Sequence, residues 1–213
     1  MTWAWFAIII SIYSAAFTSR NFFQHSNGMQ LTMGWLMMGS IAASAAGSFR
    51  RERETGVLEL LLVAPLTTNQ IIAARVRGLW GQFLPALGTL LGVWLYFAGV
   101  FNDWADMRWV WFFAVTFLTL PVIGLYFSVR CRHFVSAFLL TLVTALGLPF
   151  ALSPVISFIA FIYTNALTAS YDKFAEKLWA VPSLVQGALA LLTATLLRRR
   201  LGRRNFPLER TAL

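Results

Sequence analysis

Cysteine, histidine and charge are all scarce in this chain. Cys131 is the only cysteine, so no intrachain disulfide can form and a thiolate metal site has no second ligand. His25 and His133 stand apart from each other and from other ligand types, which leaves no pattern for a bound metal. No G-x-x-x-x-G-K-S/T run occurs, so the chain lacks the loop with which P-loop ATPases hold ATP. Charged residues make up only 12% of the sequence, and none lies in the middle of a long apolar run. A charge there costs about 2.5 to 3.5 kcal/mol on insertion scales, and machines that relay protons or couple to ions keep one at that depth. That absence argues against an ion-coupled pump. A membrane-embedded enzyme is disfavoured too, because no paired carboxylates, histidine clusters or Ser-His arrangements stand at plausible spacing.

Apolar sequence is abundant. Of 213 residues, 59% are hydrophobic and the mean hydropathy is +0.70, far above a soluble domain of this size. The chain reads as an all-α integral membrane protein. A helix crossing about 30 Å of hydrocarbon needs roughly 20 apolar residues, and six segments qualify: about 3–18, 31–49, 79–100, 109–129, 134–152 and 178–197. The first carries no basic leader and no small-residue cleavage site, so it reads as a retained span and not a signal peptide. A seventh apolar stretch, 153–167, lies between Pro149 and Pro154 on one side and Thr164 and Asn165 on the other. It is too short for an untilted crossing and is predicted to be re-entrant, with the two prolines breaking the fifth helix where freed carbonyls face protein or water.

Charge placement fixes the count. With six spans, one side collects Arg50, Arg51, Arg53, Arg75, Arg77, Arg130, Arg132, Arg198, Arg199, Arg200, Arg203, Arg204 and Arg210, which are 13 of the 17 basic residues. Arg20, Arg108, Lys173 and Lys177 face the other way. Acidic residues divide evenly, so the whole net charge of +9 falls on the first side. The positive-inside bias makes that side cytoplasmic, together with both termini and the basic tail 198–213. A seventh crossing would export the arginines from Arg198 onward. Membrane orientation also accounts for the basicity without nucleic acid.

Arg50 to Pro65, RRERETGVLELLLVAP, is too short to span and too apolar for a solvated loop. On a helical repeat Glu52, Thr55, Gly56 and Glu59 form one polar stripe, and Val57, Leu58, Leu60, Leu61 and Val63 cover the rest. Such a helix lies at the membrane surface with Glu59 as its isolated charge. Pro65 stops it, and the capping-box spacing of Thr67 and Gln70 predicts a new helix that climbs into the third span.

The order Glu54, Gly56, Leu58, Glu59, Leu60, Leu61, Pro65, immediately after the second span, resembles the cytoplasmic segment of type-2 ABC exporter permeases. Composition alone favours a generic interfacial linker anchored by its arginines to anionic headgroups; the resemblance favours a coupling helix over residues 50–66. It implies a permease subunit of an ATP-binding cassette exporter that forms the translocation pathway. In that family the segment transmits motion from a cytoplasmic ATPase, with Arg53, Glu54, Gly56, Leu58, Glu59, Leu61 and Pro65 as the contact residues carried over here. It also implies two copies of the ATPase subunit, a second permease as homo- or heterodimer, a bacterial or archaeal cytoplasmic membrane, and no cofactor or bond-making chemistry in this chain. A short hairpin between spans five and six is likewise a family feature. The chain departs from many members at its start, where Met1 to Phe6 has no basic side chain. The rival reading is an ATPase-independent polytopic scaffold or assembly factor that uses the same surface helix to dock a partner.

Gly39, Ala43 and Gly47, and Gly88 and Gly92, recur at four-residue spacing and are candidate close-packing seams, within one subunit or between two. Trp94, Trp104, Trp109, Trp111 and Trp179 gather at one predicted boundary and Trp3, Trp5 and Trp80 at the other, as aromatic belts do.

Overall fold

The computed structural model describes residues 2–17, 22–50, 67–101, 104–165 and 180–202, and every regular element among them is helical. Helix α1 is Thr2–Phe17, α2 is Phe22–Gly47, α3 is Thr68–Phe101, α4 is Trp104–Arg130 and α5 is Phe134–Leu142. A π-helical turn, Val143–Gly147, leads directly into α6, Leu148–Asn165; α7 is Val181–Gly202. Four stretches are long and apolar enough to cross a membrane: Thr68–Tyr96, Met107–Arg130, Phe134–Ile156 and Val181–Gly202. The chain is therefore an all-α membrane protein. The apolar part of α1, Trp3–Ala15, is shorter. Helix α2 is long but dilutes its apolar side chains with Gly34, Gly39, Ser40, Ser44 and Gly47.

Helix boundaries follow local chemistry. The expected capping box opens α3: the Thr67 amide donates to Gln70 Oε1 at 2.9 Å, and the Gln70 amide donates to Thr67 Oγ1 at 3.4 Å, so two of the orphan donors at the helix start are satisfied reciprocally. At 34 residues, α3 is about 50 Å long, well beyond the roughly 30 Å of hydrocarbon. Its first three turns, with Arg75 and Arg77, lie outside the predicted span 79–100 and extend it. Between α4 and α5 the chain reverses at Cys131 to His133, where the Cys131 amide still donates to Phe127 O at 2.9 Å and the Ala137 amide reaches back to His133 O at 3.1 Å.

Helix α4 is the centre of the bundle. Its membrane-length window is 72% buried, against 33% or less for the other three, and it packs on α2, α3, α5 and α7. Phe113, Leu120, Ile123 and Leu125 are fully buried along it. Two glycines let α2 and α4 approach closely: a Cβ at Gly124 would lie 2.5 Å from Ala45 Cβ, and one at Gly34 would lie 2.7 Å from the Phe113 ring. At Gly39, Gly88 and Gly92 an added Cβ would meet nothing within 4 Å, and at Gly47 it would touch the Phe134 ring at an ordinary 3.5 Å. The tight seam within the chain thus uses Gly34 and Gly124, while Gly88 and Gly92 are exposed.

The expected belt of tryptophans is split. Trp94 is 1% exposed and packs at a tilt against Phe113 with ring centroids 5.2 Å apart, and Trp35 and Trp109 meet the same ring at 5.6 and 6.2 Å. Phe150 joins through Phe112 at 5.2 Å. This cluster ties α2, α3, α4 and α6 together, so Trp94 is a core residue. Trp111, 51% exposed, keeps the position of a belt residue. The side chains of Trp104 and Trp179 lie outside the described residues.

The break expected at Pro149 and Pro154 does not interrupt the helical path. Helix α6 runs through Pro154 to Asn165, and the irregularity is the π turn just before Pro149. A proline leaves the carbonyl four residues earlier without its N–H partner; for Pro149 that carbonyl belongs to Ala145. Gln186 of α7 fills the vacancy, its Nε2 donating to Ala145 O at 3.0 Å. Helix α4 repeats the device around Pro121, where Trp80 Nε1 donates to Phe117 O at 3.3 Å. Neighbouring helices thereby satisfy the backbone groups that lipid cannot.

Candidate functional site at the arginine-rich end

The end of α2, the start of α3, the end of α4, the start of α5 and the end of α7 meet at one end of the bundle. Helix α2 stops at Gly47, and the Ser48 amide closes a turn on Ala45 O at 3.2 Å. The Phe49 amide would then be an orphan inside the protein. It donates to Ser128 Oγ of α4 at 3.0 Å, in a buried bond. The Phe49 ring is itself buried, and the Arg75 guanidinium of α3 lies over it, 5.6 Å from the centroid. Phe49 therefore joins α2, α3 and α4 at one point.

One turn before the end of α4, Tyr126 gathers two more arginines. Arg130 Nη1 donates to the Tyr126 hydroxyl at 3.2 Å, and the guanidinium groups of Arg130 and Arg200 each lie 5.9 Å from the ring centroid. Cation–π contacts of this kind contribute about 0.5 to 1 kcal/mol each, more when desolvated. They also hold two like charges on one ring, with no intervening carboxylate among the described residues. Arg50, Arg132, Arg198 and Arg199 are exposed at the same end, and no acidic residue has a described side chain there. The described surface at this end offers positive charge, aromatic faces and fixed backbone anchors, a chemistry suited to holding a segment and attracting anionic groups.

The carried-over residues Arg53, Glu54, Gly56, Leu58, Glu59, Leu61 and Pro65 lie outside the described residues, while both of their attachment points lie inside. Upstream stands Phe49, bonded to Ser128; downstream stands Thr67, held in its capping box. The proposed coupling segment thus begins and ends at pinned positions on the arginine-rich end. Pro149 and Pro154 both lie in α6, beyond the π turn; Gly47 ends α2 at this site, while Gly39, Ala43, Gly88 and Gly92 are spread over α2 and α3 farther along the bundle.

Sequence reasoning missed a buried polar node on the α4 face of α7. Gln186, fully buried, donates from Nε2 both to Ala145 O and to Thr116 Oγ1, each at 3.0 Å, and the Thr116 hydroxyl donates to Phe112 O at 2.8 Å. Its signal was available: a single amide in the apolar run of α7, level with a proline-bearing helix. Cys131 is half-buried, and among the described residues no three His, Cys, Asp or Glu side chains come together.

The chain matches no protein-family model, no curated protein and no solved structure, so the family reading rests on the sequence of Arg50 to Pro65 alone.

Proposed function

We propose that this chain is the membrane subunit of an ATP-binding cassette exporter, with six spans, its arginine-rich end in the cytoplasm, and a coupling helix over residues 50–66. The observation that carries this reading is the Glu54, Gly56, Leu58-Glu59-Leu60-Leu61, Pro65 order, set between two helix ends that are both pinned at the arginine-rich end of the bundle. The clustering of arginines there supports the orientation. Lysine- and arginine-rich loops stay on the cytoplasmic side during insertion.

In this reading two copies of a separate cytoplasmic ATPase close on nucleotide and push the 57–64 segment, and a second permease completes the pathway. The push has two routes into the bundle. One runs through Phe49 and Ser128 into α4, the most buried helix; the other runs through the Thr67 cap into α3. Tilting these helices opens a cavity between subunits to the far side. The permease itself makes and breaks no covalent bond.

The experiment is co-purification with a P-loop ATPase encoded nearby, followed by Glu59→Lys. The reading expects a stable complex whose ATP-driven export drops sharply when Glu59 is reversed, with the chain still inserted normally. A variant that exports as well as wild type removes Glu59 from the mechanism, and transport or assembly that proceeds with no ATPase partner favours the scaffold reading.

A further inference from the structure

We propose that the groove between the first turns of α3 and the last turns of α7 is a binding site for one anionic phospholipid. The groove encloses about 490 Å³. Ile72, Val76, Trp80 and Ala194 form an apolar floor, and Arg77 and Arg198 stand on its rim, both exposed. It is an open groove at the arginine-rich end of two membrane-length helices, where a polar headgroup region would meet them.

Three observations select this occupant. Helices α3 and α7 touch only lightly, so their ends leave a cleft where packed neighbours would leave a seam. The Trp80 indole N–H is already committed to Phe117 O, which leaves its ring to line the groove as an apolar wall for an acyl chain. The guanidinium groups divide by role: Arg75 lies on Phe49, and Arg130 and Arg200 lie on Tyr126, whereas Arg77 and Arg198 have no ring or acidic partner among the described residues. Two guanidiniums above an apolar floor match a phosphate joined to a hydrocarbon chain. Asn69 and Thr195, which also line the groove, supply hydrogen-bonding groups beside that phosphate. A soluble phosphate would leave the floor unused. The inference stands without the export reading, since any anionic leaflet supplies the ligand.

The test is lipid retention by the full chain in detergent, measured by native mass spectrometry against phosphatidylglycerol and phosphatidylcholine. The expected result is preferential retention of one phosphatidylglycerol. In Arg77→Gln/Arg198→Gln that retention falls about thirtyfold, as two phosphate contacts of about 1 kcal/mol each imply. Ala194→Trp, which fills the floor and leaves the charge unchanged, also loses the bound lipid. A charge-matched control, Arg132→Gln/Arg199→Gln, keeps it. Equal retention of the two lipids, equal losses in the rim and control variants, or undiminished binding in Ala194→Trp would each overturn the proposal.

Discussion

Gln186 Nε2 donates to the carbonyl of Ala145, four residues before Pro149, at 3.0 Å. The bond crosses from α7 to the π turn and supplies the donor that proline removed. In water such a carbonyl would find a solvent partner. In hydrocarbon it has none, and an unsatisfied backbone group there costs several kcal/mol.

Gln186→Leu is therefore expected to lower stability by about 1 to 3 kcal/mol, since it strands Ala145 O and removes the Thr116 contact together. Adding Pro149→Ala restores an N–H in α-helical register with Ala145 and recovers part of the loss. Unfolding of the single and double variants in mixed detergent measures the coupling; additive losses would show that the proline and the amide are independent.

Trp80 and Pro121 form the same relationship at 3.3 Å between Trp80 Nε1 and Phe117 O. Trp80→Phe keeps most of the ring and removes the donor, so its loss is smaller, about 0.5 to 1.5 kcal/mol. Combined with Pro121→Ala, Trp80→Phe should unfold close to Pro121→Ala alone. The comparison uses the same detergent assay.

These two bonds mark the limit of what was legible in the sequence. The apolar runs located the helices, and the Thr67 to Gln70 box located the start of α3, because both are local signals. The expectation of a break at Pro149 and Pro154 follows from a rule that also looks only at the local backbone donor. The compensating Gln186 side chain lies 41 residues from Ala145 along the chain, and no local pattern pairs them. Glycine spacing is likewise a local signal. A four-residue repeat says that Gly88 and Gly92 share a face, but only packing decides whether that face meets another helix. Trp94 looked like a boundary residue by position and is core because Phe113 sits opposite. The proposed coupling segment rests on its resemblance alone, and its residues 51–66 lie outside the described ones; the structure describes only the flanking positions Phe49 and Thr67.

Gly124→Val tests the α2–α4 seam. The added Cβ would collide with Ala45 Cβ at 2.5 Å and press on Thr141 Cγ2 at 3.4 Å, between two helices that cannot separate without losing the buried core around Phe113 and Leu120. Overpacking of this kind typically costs about 1 to 3 kcal/mol, and the helix-to-helix contact places this site at the upper end. Gly39→Ala and Gly88→Ala, with open space around the added atom, should unfold within about 0.5 kcal/mol of wild type. A destabilised Gly88→Ala would instead point to a second chain on that exposed face.

Gln30 is fully buried, and neither its Nε2 nor its Oε1 has a hydrogen-bond partner among the described residues. Burying an amide without partners costs about 1 to 3 kcal/mol, so Gln30→Leu should be neutral or stabilising for the fold, the reverse of Gln186→Leu. Thermal unfolding of the two variants side by side separates a polar group that holds the bundle from one that does not. If Gln30→Leu stabilises the chain yet lowers export, the amide serves transport and not folding.

Ser128 Oγ of the central helix accepts a hydrogen bond from the Phe49 amide at 3.0 Å, and Phe49 stands two residues before the undescribed segment 51–66 begins. Ser128→Ala removes that acceptor while changing the volume by one oxygen atom, so the expected loss of stability is only about 0.5 to 1.5 kcal/mol. Its mechanical effect should be larger. With Phe49 no longer bonded to α4, a push on residues 57–64 reaches the bundle through the α3 cap alone. On the proposed export function, ATP-driven export is expected to fall severalfold while the proposed ATPase partner still binds and hydrolyses ATP. Ser128→Thr, which keeps the hydroxyl, should retain most of the transport. Proteoliposome assays that read export and hydrolysis together distinguish the outcomes: equal losses of both in Ser128→Ala would mean general destabilisation, and unchanged export would remove the Phe49 to Ser128 bond from the transmission path.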